Sequence, residues 1–361
     1  MAGSIKLNAP AGGSVTLNAV DTASNFVMSV PAAAGVLINA TSATGAAQLP
    51  VGTTAQRPAS PVTGQLRYNS TTSLTEVYNG TAWVGVQTPY LAQVLIVGGG
   101  GGAGGYGGAG GAGGVIQGSL TLTSGLNYPV TIGAGGAGAP TRNNTAFNGS
   151  SSSFAYSIAA GGGKGGSDNS NGAYDAAVMD GGSGGSGGGT SYASVGLVVV
   201  GSGNVPSLRP VQGYNGATGG SSTNSFGGAG GGAGAAAGAF TGPLTAAAGG
   251  AGISSTITGT AVSYGGGGGG SCSNASGTGG AGGAGGGGNG GMAAIGAAGT
   301  VNTGGGAGAS WSSSGNAGGS GIVIISIQTA YYTGVTTGSP TVTTNGGFTV
   351  MKFTSSGSYT A

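Results

Sequence analysis

The 361-residue chain has no histidine, one cysteine, one glutamate, and only 3% charged residues. Each scarcity closes off a kind of chemistry. Without histidine there is no Ser-His-Asp or Cys-His arrangement, and the commonest general base and metal ligand is missing. Cys272, between Ser271 and Ser273, cannot form an intrachain disulfide and reads as a small residue in a loop. Glu76 sits in a hairpin pattern, so Asp168, Asp175 and Asp180 are the one acidic cluster. A glycosidase needs two carboxylates at a set separation. Calcium suits this loop better, with Asn169 and Asn171 nearby, yet the spacing misses both the EF-hand and the GGxGxD pattern. Solvated loop acids are the expectation, with no catalytic residue, no metal and no cofactor. The seven basic residues, Lys6, Arg57, Arg67, Arg142, Lys164, Arg209 and Lys352, are scattered, so neither nucleic acid nor an anionic membrane finds a basic patch. No apolar run approaches the roughly 18 residues of a transmembrane helix. Residues 1–10 lack a basic stretch followed by an apolar one, so membrane insertion and Sec-type secretion are not expected.

What the chain has is glycine, 93 residues of it. Collagen would need glycine at every third position with abundant proline, whereas proline is 12 and glycines commonly come in pairs. Disordered chains combine high charge with low hydrophobicity, and here 38% of residues are hydrophobic. The glycine tracts carry a period of three. In residues 102–114 the only other residues are Ala103, Tyr106, Ala109 and Ala112, and the same spacing links Ala134 to Ala137, Lys164 to Ser167, Ser183 to Ser186, and Thr278 through Ala281 to Ala284. Three residues per turn is the polyproline II repeat, which has no internal hydrogen bonds. Such threads must satisfy their amides on one another, and only glycine lets backbones approach that closely. The expected packing is parallel.

Strand patterns surround the tracts. Ile5/Leu7, Val15/Leu17 and Phe26/Met28/Val30 alternate with polar residues, and residues 50–61 form a proline-rich linker. Residues 65–69, 74–78 and 81–84 read as three small strands, with Asn79-Gly80 predicting a type I′ turn. They cannot bury Tyr68, Tyr78 and Trp83 alone, so the unit is expected to pack against copies of itself. The runs at 94–97, 128–132, 197–200 and 322–327 read as buried strands, and Asn345-Gly346 as a further turn before the alternating residues 348–353. The expected fold is all-β plus polyglycine II: short β stem segments and a small β-sandwich base carrying glycine-rich threads, with almost no α-helix. Its divisions are 1–50, 51–92, 93–328 and 329–361. Loops 168–180 and 205–214 are expected at the far end of the lattice.

Residues 51–84 (VGTTAQRPASPVTGQLRYNSTTSLTEVYNGTAWV) closely resemble a motif of tailed-phage fibre proteins, and residues 14–30 resemble a repeat in their N-terminal parts. Residues 94–102 (VLIVGGGGG), 127–138 and 319–325 are similar to the glycine-rich domain of phage fibres and adhesins. The resemblance implies a polyglycine II sandwich whose distal loops touch the host surface. The protein would then be a homotrimeric virion appendage, released at host lysis, joined to other virion proteins through its N-terminal segment and facing a host glycan or outer-membrane protein. Candidate receptor contacts are Trp311, Tyr174, Tyr192, Tyr214 and Phe240, with Phe226 beside them, since rings on rigid loops make low-entropy contacts. The alternative use of each ring is to plug an edge of the lattice. In that family a segment like residues 346–357 usually precedes the glycine-rich domain, whereas here it follows. That order opens a second reading, a filament or capsid-decorating fibre whose C-terminal strand completes the sheet of the next subunit.

Overall fold

The computed structural model describes residues 4–8, 14–18, 49–86, 89–170, 173–192, 198–208, 210–221, 225–241 and 244–361, divided into two compact units, Met1–Val86 and Gln87–Ala361. Phe26, Met28, Val30 and Leu197, all expected in strands, lie outside the described residues.

In the first unit β1 (Ser4–Asn8) pairs antiparallel with β2 (Ser14–Asn18), placing Ile5 opposite Leu17 and Leu7 opposite Val15. A second sheet runs β3 (Val51–Gly52), β4 (Leu66–Asn69), β5 (Leu74–Tyr78), β6 (Trp83–Gly85). The predicted type I′ turn is not what joins β5 to β6. Tyr78 pairs with Trp83, leaving a four-residue loop in which Gly80 alone has positive φ, at 99°. The Asn79 side chain accepts from the amides of Thr81 and Ala82, each at 2.9 Å, which removes the need for a left-handed asparagine.

This sheet is inverted relative to an ordinary one. Arg67, Asn69 and Glu76 are buried on one face, while Leu66, Tyr68, Val84 and Val86 are exposed. The buried charge is satisfied locally. Arg57 donates to both Glu76 oxygens, at 3.2 and 2.6 Å, Asn69 donates at 3.0 Å, and Arg67 lies 3.4 Å away. The Arg57 hydrogen bond, helped by Asn69 and the charges of both arginines against the cost of burial, holds the Glu76 carboxyl below its ordinary range. A depressed carboxylate contributes stability above its unfolded pKa, near 4.3, and loses it as pH falls through the folded value. Acid titration followed by Trp83 emission in a Trp311→Phe background is expected to show this loss below about pH 4. Glu76→Gln is expected to start less stable at pH 7 and to lack that acid step.

The second unit comprises β7 (Pro89–Val97), β8 (Val115–Thr123), β9 (Asn127–Thr131), β10 (Ser152–Phe154), β11 (Ser157–Ala159), β12 (Gly220–Ser221), β13 (Ser225–Phe226), β14 (Ile253–Ser255), β15 (Val262–Tyr264), β16 (Ile322–Gln328), β17 (Thr336–Thr337), β18 (Thr341–Asn345), β19 (Phe348–Phe353) and β20 (Gly357–Thr360). Two five-stranded sheets, β18-β19-β16-β7-β8 and β11-β10-β9-β20-β17, form the expected sandwich. Between them pack Tyr90, Val94, Ile96, Val323, Ile325 and Phe353 from the first sheet against Val130, Phe154 and Tyr359 from the second. Leu95, Val97, Ile322, Ile324 and Val350 point the other way, onto Ala233 and Tyr264. Burial on both faces explains the unbroken apolar runs of β7 and β16.

Other expectations shift. Tyr128–Ile132 is only half a core strand, since Val130 is buried and Pro129 and Thr131 are exposed. Val198, Val199 and Val200 form no strand, and Val199 is 58% exposed. Its amide donates to Asp180 at 2.9 Å, so a lattice connector overrides β propensity there. The C-terminal turn centres on Gly346-Gly347 rather than Asn345-Gly346, because Asn345 pairs with Phe348 and Gly346 takes φ 59°. The single α-helix among the described residues is α1, Ala176–Met179.

Between β7 and β8 the glycine-rich chain runs out along residues 98–104, turns at Tyr106 and returns along 107–114. Gly98, Gly101 and Gly104 donate to Gly114, Gly111 and Gly108 on the returning thread. Gly99 and Gly102 donate to Ser150 and Phe147, and Gly100 and Ala103 to Gly319 and Asn316. Successive residues therefore address three different neighbours, as a three-residue helix requires. Thread 107–114 is fully enclosed. It donates to 160–166, 228–231 and 304–310, and accepts from 98–104, 186–189 and Gly268.

The packing is not parallel throughout. Only 228–231 runs alongside 107–114 in the same direction with two bonds, from Ala109 and Ala112, because short turns join consecutive threads and reverse them. Outer threads keep the triplet in their burial, with Gly133, Gly136 and Ala139 inside and Ala134 and Ala137 outside. In the inner threads Ala103, Ala109 and Ala112 are also fully buried, so the lattice interior admits a methyl on one edge in three. The other edges admit nothing. A Cβ at Gly110 would lie 2.0 Å from the Gly101 carbonyl oxygen, whereas one at Gly118 in β8 would meet no atom within 4 Å. Thermal denaturation is expected to show Gly110→Ala losing several kcal/mol or failing to fold, and Gly118→Ala neutral or stabilised by about 0.4–1 kcal/mol.

Candidate functional site at the lattice tip

Thread geometry creates an end remote from the sandwich. Seven residues at about 3.1 Å each carry the chain ~20 Å from the end of β7 before the Tyr106 turn. Tyr106 has φ 44° and its amide donates to Ser312, which places the 311–314 turn beside it. Asp168 joins them through its amide to the Gly105 carbonyl.

Here five side chains from separate turns meet. The Trp311 ring stands edge-on to Tyr106, with centroids 5.7 Å apart and planes at 84°, and lies 5.1 Å from Tyr192. Arg142 stacks over Tyr106 at 5.2 Å, forms an ion pair with Asp168, and donates to the Tyr192 hydroxyl at 3.3 Å. Asp168 is buried, with 6% of its side chain exposed, while Arg142 keeps 39%. Burial first, then the Asp168 charge, raises the Tyr192 pKa and keeps its hydroxyl neutral. The resulting surface offers half-buried ring faces and a partly free guanidinium, held by ion pairing and backbone bonds.

Of the expected contact residues, Trp311 and Tyr192 meet in this cluster. Tyr174 lies on the adjoining loop, where its hydroxyl donates to both Asp180 oxygens at 3.0 and 2.9 Å. Phe240 stacks on buried Phe226, centroids 5.4 Å apart and planes at 4°, over a small core with Ala246 and Cys272. Leu244 and Met292 are exposed beside it, so this part of the tip is apolar. Tyr214 is placed elsewhere, and with it loop 205–214. Gln212 clamps that loop to the sandwich end, donating to the Ile158 carbonyl at 2.9 Å and accepting from Ala160 at 2.8 Å, and its carbonyl accepts from Val115. A buried glutamine tying a loop to strand ends moved it to the base. Sequence reasoning missed Tyr106, Arg142 and Gln212. Tyr106 was visible as the one bulky residue in a triplet of alanines, while nothing local marked the other two.

The acidic cluster is dispersed into structural roles. Asp168 pairs with Arg142, Asp175 caps α1 through the Ala177 amide at 3.0 Å, and Asp180 holds Tyr174 and Val199. Lys164 donates to the carbonyls of Ala177 and Asp180, and burial lowers its pKa against the pull of Asp180 and Asp175. Among the described residues no three His, Cys, Asp or Glu gather as metal ligands, and no helix is long and apolar enough to cross a membrane.

The fold and site together define an all-β, glycine-threaded scaffold with an aromatic end. A family model for the glycine-rich domain matches residues 71–328, and the chain belongs to that family. No curated protein and no solved structure matches it. Arg142→Ala would leave the Asp168 carboxylate buried and unpaired. A loss of about 1–3 kcal/mol is expected, reduced from the fully buried case by the exposure of Arg142, with a red shift of Trp311 emission in a Trp83→Phe background.

Proposed function

We propose that this chain is a non-enzymatic structural protein of a phage virion, a tail-fibre or adhesin subunit whose lattice tip contacts the host surface. The observation that carries the reading is the gathering of Tyr106, Arg142, Asp168, Tyr192 and Trp311 from separate turns at one end of a lattice that has almost no side chains of its own. Rigid aromatics beside an arginine lose little entropy on binding and favour a glycan or an outer-membrane protein. The resemblance of residues 51–84 to phage fibre proteins supports the virion setting.

In this reading the chain assembles as a homotrimer, and the first unit offers a face for self-association. Its sheet exposes Leu66, Tyr68, Val84 and Val86 while sealing its charges inside, which is the pattern of a sheet covered by a like copy. Attachment to other virion proteins falls to the N-terminal segment in this reading, with the protein extracellular after host lysis. The filament alternative gains no support from the C-terminal strand. β20 already lies between β9 and β17, and β19 between β16 and β18, so donating either would dismantle its own sandwich.

Adsorption of the purified full chain to susceptible cells is the test. Trp311→Ala and Tyr192→Ala are expected to weaken it at least about tenfold, the cost of losing an anchor worth ~1.4 kcal/mol or more. Unchanged adsorption by both variants, or no adsorption of the parent to any susceptible host, would overturn the tip as the contact surface.

A further inference from the structure

The outer face of the sheet β18-β19-β16-β7-β8 changes character along β16. Ile322 and Ile324 are covered there, and the next residue on that face is Ser326, the only polar side chain in the run from Ile322 to Ile327. Ser326 is 7% exposed, and among the described residues its hydroxyl has no protein partner. It opens onto a cavity of about 240 Å³ whose floor is Ser326, Gln93, Gln117, Asn345 and Phe348, from all five strands of the sheet. Thr256 and Ile257, between β14 and β15, form the wall. That wall is seated closely, since a Cβ at Gly259 would lie 2.8 Å from the Asn345 amide nitrogen.

The chemistry of the lining selects a ligand. Gln93 is oriented by donating to Ser119 at 2.8 Å, which leaves its carbonyl oxygen as an acceptor. The amides of Gln117 and Asn345 have no partner among the described residues, so each presents a donor and an acceptor. Phe348, 43% exposed, adds an apolar ring face. Among the described residues no charged side chain lines the cavity; Lys352 is four residues along β19 from Phe348, ~13 Å in a strand. An anion would find no cation and a metal no carboxylate. Paired amide donors and acceptors beside a hydroxyl and one aromatic face suit an uncharged ring edged with hydroxyls. The volume lies below the roughly 300–1,000 Å³ of larger ligand pockets and holds one such ring.

We propose that this cavity is a carbohydrate subsite at the base of the domain, taking one neutral pyranose. The hydroxyls of the sugar bond to Ser326, Gln93, Gln117 and Asn345, and its apolar face lies on Phe348. The subsite does not depend on the tip being a receptor contact. Its floor is a hydrogen-bonded five-stranded sheet that fixes the buried Ser326, and Gln93 is held by Ser119, so these two groups are placed before the ligand arrives.

Saturation-transfer NMR on the full chain with glucose, galactose, mannose and N-acetylglucosamine, each up to about 50 mM, tests it, because one ring with few contacts is expected to bind in the millimolar range. At least one sugar is expected to give saturable transfer. Ser326→Val, which continues the apolar pattern of β16 and should keep or raise the melting temperature, and Gln117→Ala, a surface change, are each expected to reduce that transfer at least about fivefold. Transfer that survives Ser326→Val and Gln117→Ala but falls in Trp311→Ala would belong to the tip and would overturn the base subsite. Absence of transfer from every sugar, or transfer unaltered by both base variants, overturns the proposal.

Discussion

The hydrogen bond from one polyproline II thread to the next is the interaction on which the second unit rests. A three-residue helix makes no bonds within itself, so every buried amide must be answered by another thread. Around residues 107–114 that requirement is met by six neighbouring threads. Each such bond contributes only about 0.5–1.5 kcal/mol, and each glycine costs roughly 0.5–1 kcal/mol in chain entropy, so the lattice holds only as a cooperative whole. Close approach is the other half of the constraint, because the carbonyl of one thread occupies the space where a side chain of the next would be.

Two consequences follow from a scaffold that excludes side chains. Anchorage must come from elsewhere, and the sandwich supplies it: β7 leads directly into thread 98–104, β8 follows directly from 107–114, and β16 follows the last thread, so strand hydrogen bonds set the thread register. Chemistry, too, is pushed to the ends. The buried charge of this unit is held at the tip turn by Arg142 and Asp168, and the amide-lined cavity lies on the sheet. Polar groups inside the lattice are small, such as Ser167, whose hydroxyl accepts from the Gly105 amide at 3.2 Å in place of a thread carbonyl.

Much of this architecture was legible locally. Triplet spacing in 102–114 announced the threads, and the β-branched runs at 94–97 and 322–327 announced the strands buried on both faces. Failures were instructive where a tertiary partner outweighed a local preference. Val199 resembles strand residues but is bonded into the lattice by Asp180. Asn79-Gly80 resembles a two-residue turn but widens because the Asn79 side chain satisfies two amides. Phe240 is partly a plug, since its ring is stacked on Phe226, while Trp311 and Tyr192 share a cluster whose charged members, Arg142 and Asp168, are 26 residues apart in the chain.

The sequence by itself determined the thread conformation, the scarcity of α-helix and the absence of histidine chemistry, because these depend on residue type and spacing over a few positions. Only the tertiary structure decided which threads run antiparallel, which loops reach the tip and which return to the base, and that Ser326 opens onto a cavity. The reason is physical. Glycine carries no side chain to specify a neighbour, so thread order is set by turn lengths and strand pairing across the whole domain rather than by any local signal.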